Sequence, residues 1–231
     1  MGGVEASNRD LVILDVAGTA AEAYSALLGP TAERYTLGTV DVAVGAPSWC
    51  SGHGILVAAD DVDSEATLAE RRGLHLASVS DGYAGAVDGM PLGLAVPRDL
   101  GVVPTTEIVG VDHIVLTSPN RDRLIATLSG RLGFDLRLDR VQSWGVHQLF
   151  FRRRELLVEV VLSEGDDVDP AGPDALWGIA WRTADADATH RRLTDRGIVV
   201  SEIRRGAKPG TRVATIKDPA LGVPTIVLEQ E

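Results

Sequence analysis

Apolar and polar positions alternate most clearly in the second half of the chain. Val111 to Leu116 reads as a buried strand, opened by Asp112 and His113. Leu124, Leu128 and Leu132 then recur every four residues, which predicts a helix with one buried stripe. Ser118 supplies a capping hydroxyl, Pro119 lies near the first turn and Gly133 ends the helix. Strands are predicted over 134–141, 146–152 and 156–162, followed by a turn-rich loop over 163–175. The pattern repeats with a strand over 177–182, a helix around 185–196, and strands near 198–203, 212–216 and 225–228. Residues 111–231 therefore spell β-α-β-β-β twice.

The first half follows a shortened version of this plan. It predicts a strand over 11–17, a helix over 19–28, strands over 35–44 and 54–59, a helix over 63–72, and strands near 74–79 and 92–96. GILVAADDVDSEATLAERRGL, starting at Gly54, matches GIAWRTADADATHRRLTDRGI, starting at Gly178; Ile55, Asp61, Asp63, Arg72 and Gly73 are identical to their counterparts. DLVIL from Asp10 likewise matches DHIVL from Asp112, with Leu11 in the place of His113. The chain reads as an imperfect internal duplication. A degenerate half over 1–100 is followed by a connector over 101–110, within the Pro- and Gly-framed PRDLGVVPTTEIVG, and by a site-bearing half over 111–231.

A length of 231 residues suits one large domain or two small ones, and the composition, 45% hydrophobic and 24% charged, is that of a globular protein. The net charge of −11 disfavours nucleic acid, because phosphate binding relies on Lys and Arg, and leaves small molecules, cationic ones included, as the expected partners. A single cysteine, Cys50, excludes an internal disulfide framework and fits a reducing compartment. No signal-like segment and no membrane-length apolar run is visible, so a cytoplasmic protein without a membrane partner is expected, with a homodimer possible.

Candidate chemistry concentrates in a few residues. His113 is either a core imidazole in contact with Asp112 or a group held ready for a metal ion. Glu159 shares a strand face with Leu157 and Val161, where a carboxylate without a positive partner would cost several kcal/mol. A metal, an arginine or a protonated histidine would relieve it, as would exposure at a sheet edge. No phosphate loop, calcium loop or nucleophile elbow is present. Cys50 with His53 three residues on is no evidence of a dyad, and the Arg152-Arg153-Arg154 run reads as a solvated hairpin turn able to meet an anion.

Paired β-α-β-β-β units opened by DHI and by strand-D-x-D-helix resemble the vicinal oxygen chelate superfamily: glyoxalases, bleomycin resistance proteins, extradiol dioxygenases and methylmalonyl-coenzyme A epimerase. The resemblance implies an α+β fold of tandem βαβββ modules in cup-shaped mixed sheets, with a divalent ion held by residues of the first and fourth strands of each module. It places His113 and Glu159 in two ligand slots. In the second module Trp177 and Gly178 stand where a histidine opens the strand in the dioxygenases. Glu229 is the carboxylate available to the last strand, although counting from Gly222 reaches Ile226 instead. His147, in WGVHQLFF, is a substitute ligand if it faces the cup. Trp144, Phe151, Trp177 and Trp181 are candidate pocket residues, or simple core. In the first half Leu11 and Val96 leave the slots empty. The resemblance favours an enzyme using Fe, Mn, Zn or Ni on a small oxygenated metabolite, by isomerase, lyase or ring-cleaving chemistry, with Glu229 or Glu159 moving a proton. The alternative is a metal-free small-molecule or drug-binding protein.

Overall fold

A computed structural model describes residues 7–18, 20–165 and 167–230. The predicted helix start at Thr19 and Asp166 of the turn-rich loop lie outside the described residues. In chain order the first half comprises β1 (Asp10–Leu14), α1 (Ala20–Leu28), β2 (Arg34–Leu37), β3 (Val40–Val44), β4 (Gly54–Ala58), α2 (Val62–Arg71), β5 (Ala77–Val79), β6 (Gly82–Val87) and β7 (Met90–Ala95). The second comprises β8 (Ile108–Ser118), α3 (Arg121–Ile125, continued as a π-helical segment Ala126–Arg131), β9 (Asp135–Val141), β10 (His147–Arg153), β11 (Leu156–Leu162), β12 (Ala175–Thr183), α4 (Ala186–Asp195), β13 (Arg204–Arg205), β14 (Thr211–Ile216) and β15 (Thr225–Gln230).

Four sequence-based expectations change for local reasons. The single strand expected over 35–44 is a hairpin, β2 and β3, because Gly38 turns the chain at φ +67°. DGYAGAVDGMPLG contributes β6 and the start of β7, a hairpin in which Gly82, Ala84 and Val87 are buried. The cap of α3 is Asn120, which accepts from the Arg123 N–H at 3.0 Å, with Ser118 holding the Asn120 N–H at 3.1 Å. The strand expected over 198–203 is reduced to a bridge from Val200 to Ile216 and the two residues of β13.

Each half forms one mixed sheet, ordered β2-β3-β1-β4-β7-β6-β5 and β13-β14-β15-β12-β8-β11-β10-β9. The two share a central motif. In the first, antiparallel β1 and β4 are flanked by the parallel partners β3 and β7; in the second, antiparallel β8 and β12 are flanked by β11 and β15. One face of each sheet packs with the helices in a continuous core that runs from Val12 and Leu14 to Trp181 and Val227. That core is sealed across the halves by cations. Arg192 donates to the Ala26 and Leu27 carbonyls, which end α1 without intrahelical partners. Arg153 binds the Ala58 carbonyl and Glu65, and Arg154 reaches Asp60. The arginine run is thus a clasp between the halves rather than a free turn.

At this seam, the buried Asp10 accepts from the Ala58 N–H at 2.7 Å. Burial pushes its carboxyl up to about 6 from 3.8, against that hydrogen bond and the nearby Arg153 and Arg154. The folded state therefore holds this proton more tightly than the unfolded chain does. Its contribution to stability falls as pH rises from about 4 to about 6 and then stays constant, a deficit of about 3 kcal/mol. Asp10→Asn keeps an acceptor for Ala58 and has no charge to bury. It is expected to raise stability at pH 7 by about 1–3 kcal/mol and to change little at pH 4, as read by urea denaturation at both values.

Candidate functional site

The second sheet turns one face to the core and the other outward as an open cup. Alternation and register place on the cup face His113, Val115 and Thr117 of β8, Leu157, Glu159 and Val161 of β11, Gln148 and Phe150 of β10, Ala180 and Arg182 of β12, and Ile226 and Leu228 of β15. Most of these side chains are only half-buried, as a surface open to a ligand requires.

The polar centre is a chain of directed contacts. His113 Nδ1 lies 2.8 Å from Asp112 Oδ2, and Nε2 lies 3.3 Å from Glu159 Oε2. Glu159 Oε1 accepts from Gln148 at 2.6 Å, Gln148 accepts from Gln142 at 2.6 Å, and Gln142 accepts from Arg140 at 3.1 Å. Every donor along the chain points toward Glu159. Burial works against charge on His113, but hydrogen bonds and attraction from Asp112 and Glu159 outweigh it and lift the imidazole to about 9. His113 is therefore an imidazolium at neutral pH. The bond to His113 in turn holds Asp112 below the usual carboxylate range, with Arg182 and Lys208 adding attraction.

Strand register defines which positions are equivalent among the modules. Glu159 pairs with Val115, two residues beyond His113; Ile226 pairs with Ala180, two residues beyond Gly178. The second-module counterparts of His113 and Glu159 are thus Gly178 and Ile226. In the first half the same rule gives Leu11 with Ala43 and Gly54 with Gly93. Gly178 is fixed by close approach: a Cβ there would stand 2.9 Å from the Pro224 carbonyl oxygen, as one at Gly54 would stand 2.8 Å from that of Pro91. A ligating side chain at either glycine would force its neighbouring strand to move.

The other expected ligands face elsewhere. His147 has the opposite parity to Gln148 and lies on the helix side, between Asp139 at 2.7 Å and Glu164 at 2.8 Å, which together raise its pKa. Glu229 shares the face of the buried Thr225 and Val227; it accepts from the Ala186 N–H at the start of α4 and pairs with Arg212 at 2.9 Å. The register therefore reaches Ile226, and Glu229 is a helix-capping partner. Phe151 and Trp181 are both 0% exposed in the core, Trp181 edge-on to Tyr24, and neither lines the cup. Trp177, the extra residue of a bulge in β12, is 51% exposed, and Trp144 at the β9–β10 hairpin tip is 65% exposed. Both stand at the end of the sheet marked by Thr117 and Val161. Gln148 and Gln142 were not foreseen; the buried Leu149 and Phe151 beside Gln148 carried the only signal of its facing. Burial, together with Asp15 and Asp81, pushes the Cys50 thiol up to about 11, which removes it as a nucleophile at neutral pH. His53 accepts the Asp15 N–H in a turn.

Residues 112–215 match the family described as the Glyoxalase/Bleomycin resistance protein/Dioxygenase superfamily. The matched residues fall in the second half of the chain, from β8 to β14. The Mn(II)-bound glyoxalase from Novosphingobium aromaticivorans superposes over 96% of this chain and 81% of its own, with a TM-score of 0.62 and 18% identity. Methylmalonyl-CoA epimerase from Mycobacterium tuberculosis covers 55% of this chain and 91% of its own, with a TM-score of 0.45 and 21% identity. The likeness to the Novosphingobium glyoxalase shows the glyoxalase-like α+β fold and leaves the ligand open. No curated protein matches the sequence. No helix among the described residues is long and apolar enough to cross a membrane.

The superfamily often uses a metal, and the donors of this cup do not fit one. Asp112 and Glu159 approach opposite nitrogens of the His113 ring, so the three groups do not converge on a common point. The remaining slots are Gly178 and Ile226, and among the described residues no group of three or more His, Cys, Asp or Glu is arranged to hold an ion. A proton on His113 already supplies the charge that relieves Glu159.

Proposed function

We propose that the second-half cup binds a small organic ligand without a metal ion, in the manner of the bleomycin-resistance branch of the superfamily. The observation that carries this reading is the pair of carboxylates at the two nitrogens of His113, opposite two slots filled by Gly178 and Ile226. Asp112 has Arg182 and Lys208 nearby as well as His113, whereas His113 is the one cation paired with Glu159 among the described residues, which leaves Glu159 the carboxylate open to a further positive group. Apolar surface from Phe150, Leu157, Val161 and Leu228 surrounds it, with Trp177 and Trp144 at one end. That combination favours a ligand with an aromatic or aliphatic body and a cationic group directed at Glu159.

The test is metal analysis of protein purified without chelators, followed by tryptophan-fluorescence titration with a cationic aromatic drug such as bleomycin before and after EDTA. The expected result is less than about 0.1 divalent ion per chain and an affinity unchanged by EDTA, with Glu159→Gln weakening binding about tenfold. Stoichiometric metal, or binding abolished by EDTA, would sink the proposal. Either would favour the metalloenzyme reading, motivated by the Mn(II) that the Novosphingobium glyoxalase holds.

A further inference from the structure

The first-half cup has lost every ligand slot, yet it is not simply filled. Its floor of Leu11, Ile13, Leu56 and Ala95 is covered by Trp49 and Cys50 from the loop after β3. Beside this cover lies a cleft of about 980 Å³ lined by Arg34, Gly45, Asp81 and Arg98, with Glu33 and Asp99 among its exposed residues. Asp81 is shared by two guanidiniums: Arg34 Nη2 lies 2.8 Å and Arg98 Nε 3.2 Å from the same oxygen, Oδ1. Its second oxygen accepts from the Trp49 indole at 3.1 Å. Behind it, Arg9 and Asp41 form a closed pair at 3.0 Å, and Arg9 also donates to the Arg98 carbonyl.

Three guanidiniums thus stand around two buried carboxylates, Arg9 and Arg98 buried with them and Arg34 half-buried at the cleft wall, in a chain whose net charge is −11. Arg98 is 8% exposed, and its Nη1 is buried with no partner; Asp41 Oδ2 is buried and unpartnered in the same cluster. Burial depresses Arg98, with Arg34 adding to it and Asp81 and Asp41 opposing. Arginine forks match a carboxylate in geometry, and such charge-assisted pairs are about twice as strong as neutral hydrogen bonds.

We propose that this first-half cleft is a second, independent site, which binds a small monocarboxylate between Arg34 and Arg98 beside the Trp49 cover. Glu33 and Asp99 in the lining repel further negative charge, so phosphate and polyanions are excluded. The site neither uses nor touches the His113 cup.

NMR titration of the full chain with sodium benzoate, following the Trp49 indole N–H, tests the assignment, with sodium chloride and inorganic phosphate as controls. The expected result is a saturating shift with benzoate alone, weakened at least tenfold by Arg34→Gln and unchanged by His113→Gln. Should Arg34→Gln fail to fold, the surface pair Glu33→Gln with Asp99→Asn is expected to admit phosphate while retaining benzoate. A linear shift indistinguishable from chloride would overturn the proposal and leave the orphan Arg98 and Asp41 atoms to a buried water. Equal saturation by phosphate in the unmodified chain would overturn the selectivity for a monocarboxylate.

Discussion

His113→Ala is expected to destabilise the protein by about 2–4 kcal/mol at pH 7, because it leaves Asp112 and Glu159 facing each other across a partly desolvated cup without a cation between them. The same residue sets a pH dependence whose sign follows from its raised pKa. The folded state binds this proton more tightly than the unfolded chain, so the stabilisation is fully present below about 6.5 and is lost as pH rises toward about 9. The total is about 3 kcal/mol. Urea denaturation between pH 6 and pH 9.5 should show that decline in the unmodified protein and a shallower one in His113→Ala. The difference between the two curves isolates His113 from His147, which is also raised and acts in the same direction. A neutral metal ligand would behave oppositely, since deprotonation would strengthen it as pH rose. A stability difference that stays constant or grows over this window would argue against the imidazolium reading.

Trp181→Ala should have the largest effect on folding alone. Trp181 is fully buried, with its ring centroid 6.4 Å from that of Tyr24 at an interplanar angle of 66°. Tyr24 in turn donates to the Leu221 carbonyl at 2.8 Å, so the pair joins the helix of the first half to the second sheet. Truncation is expected to cost about 3–5 kcal/mol by opening a cavity at the seam. Trp181→Phe keeps an aromatic edge toward Tyr24 and removes an indole N–H that is buried without a partner, so its loss should stay under about 2 kcal/mol. Chemical denaturation gives both values. Ligand titration of Trp181→Phe gives the complementary check, because a core residue leaves cup affinity unchanged whereas a pocket residue does not.

The duplicated plan was legible because it rests on short-range signals. The DHIVL and DLVIL strands, the strand-acid-helix units and the glycine-terminated helices each declare themselves within a few residues. Glu159 was legible for a similar reason, since a carboxylate amid alternating apolar neighbours requires a positive partner wherever the strand is placed. That partner proved to be His113, 3.3 Å away, but in a relation to Asp112 and Gln148 that spacing along the chain does not encode. His147 and Gln148 are adjacent, so a single step of parity assigned one to the helix face and the other to the cup. For Glu229 the deciding quantity was the parallel register of β15 on β12, which puts Ile226 opposite Ala180. Short apolar strands leave such a register open until the neighbouring strands and the helix layer close around them.

The sequence by itself determined a two-half α+β chain of βαβββ units, the strand positions of His113 and Glu159, and an acidic net charge, because periodicity, capping and charge are local or additive properties. Only the tertiary structure decided that the arginine turn is a clasp, that Trp181 is core, and that the fourth-strand slot holds Ile226. It also brought Asp112, His113, Glu159 and Gln148 into one hydrogen-bonded chain. Those outcomes depend on which strands pair, in which register and with which face turned to the shared core. Each is set by burial summed over both halves, and no single segment contains that information.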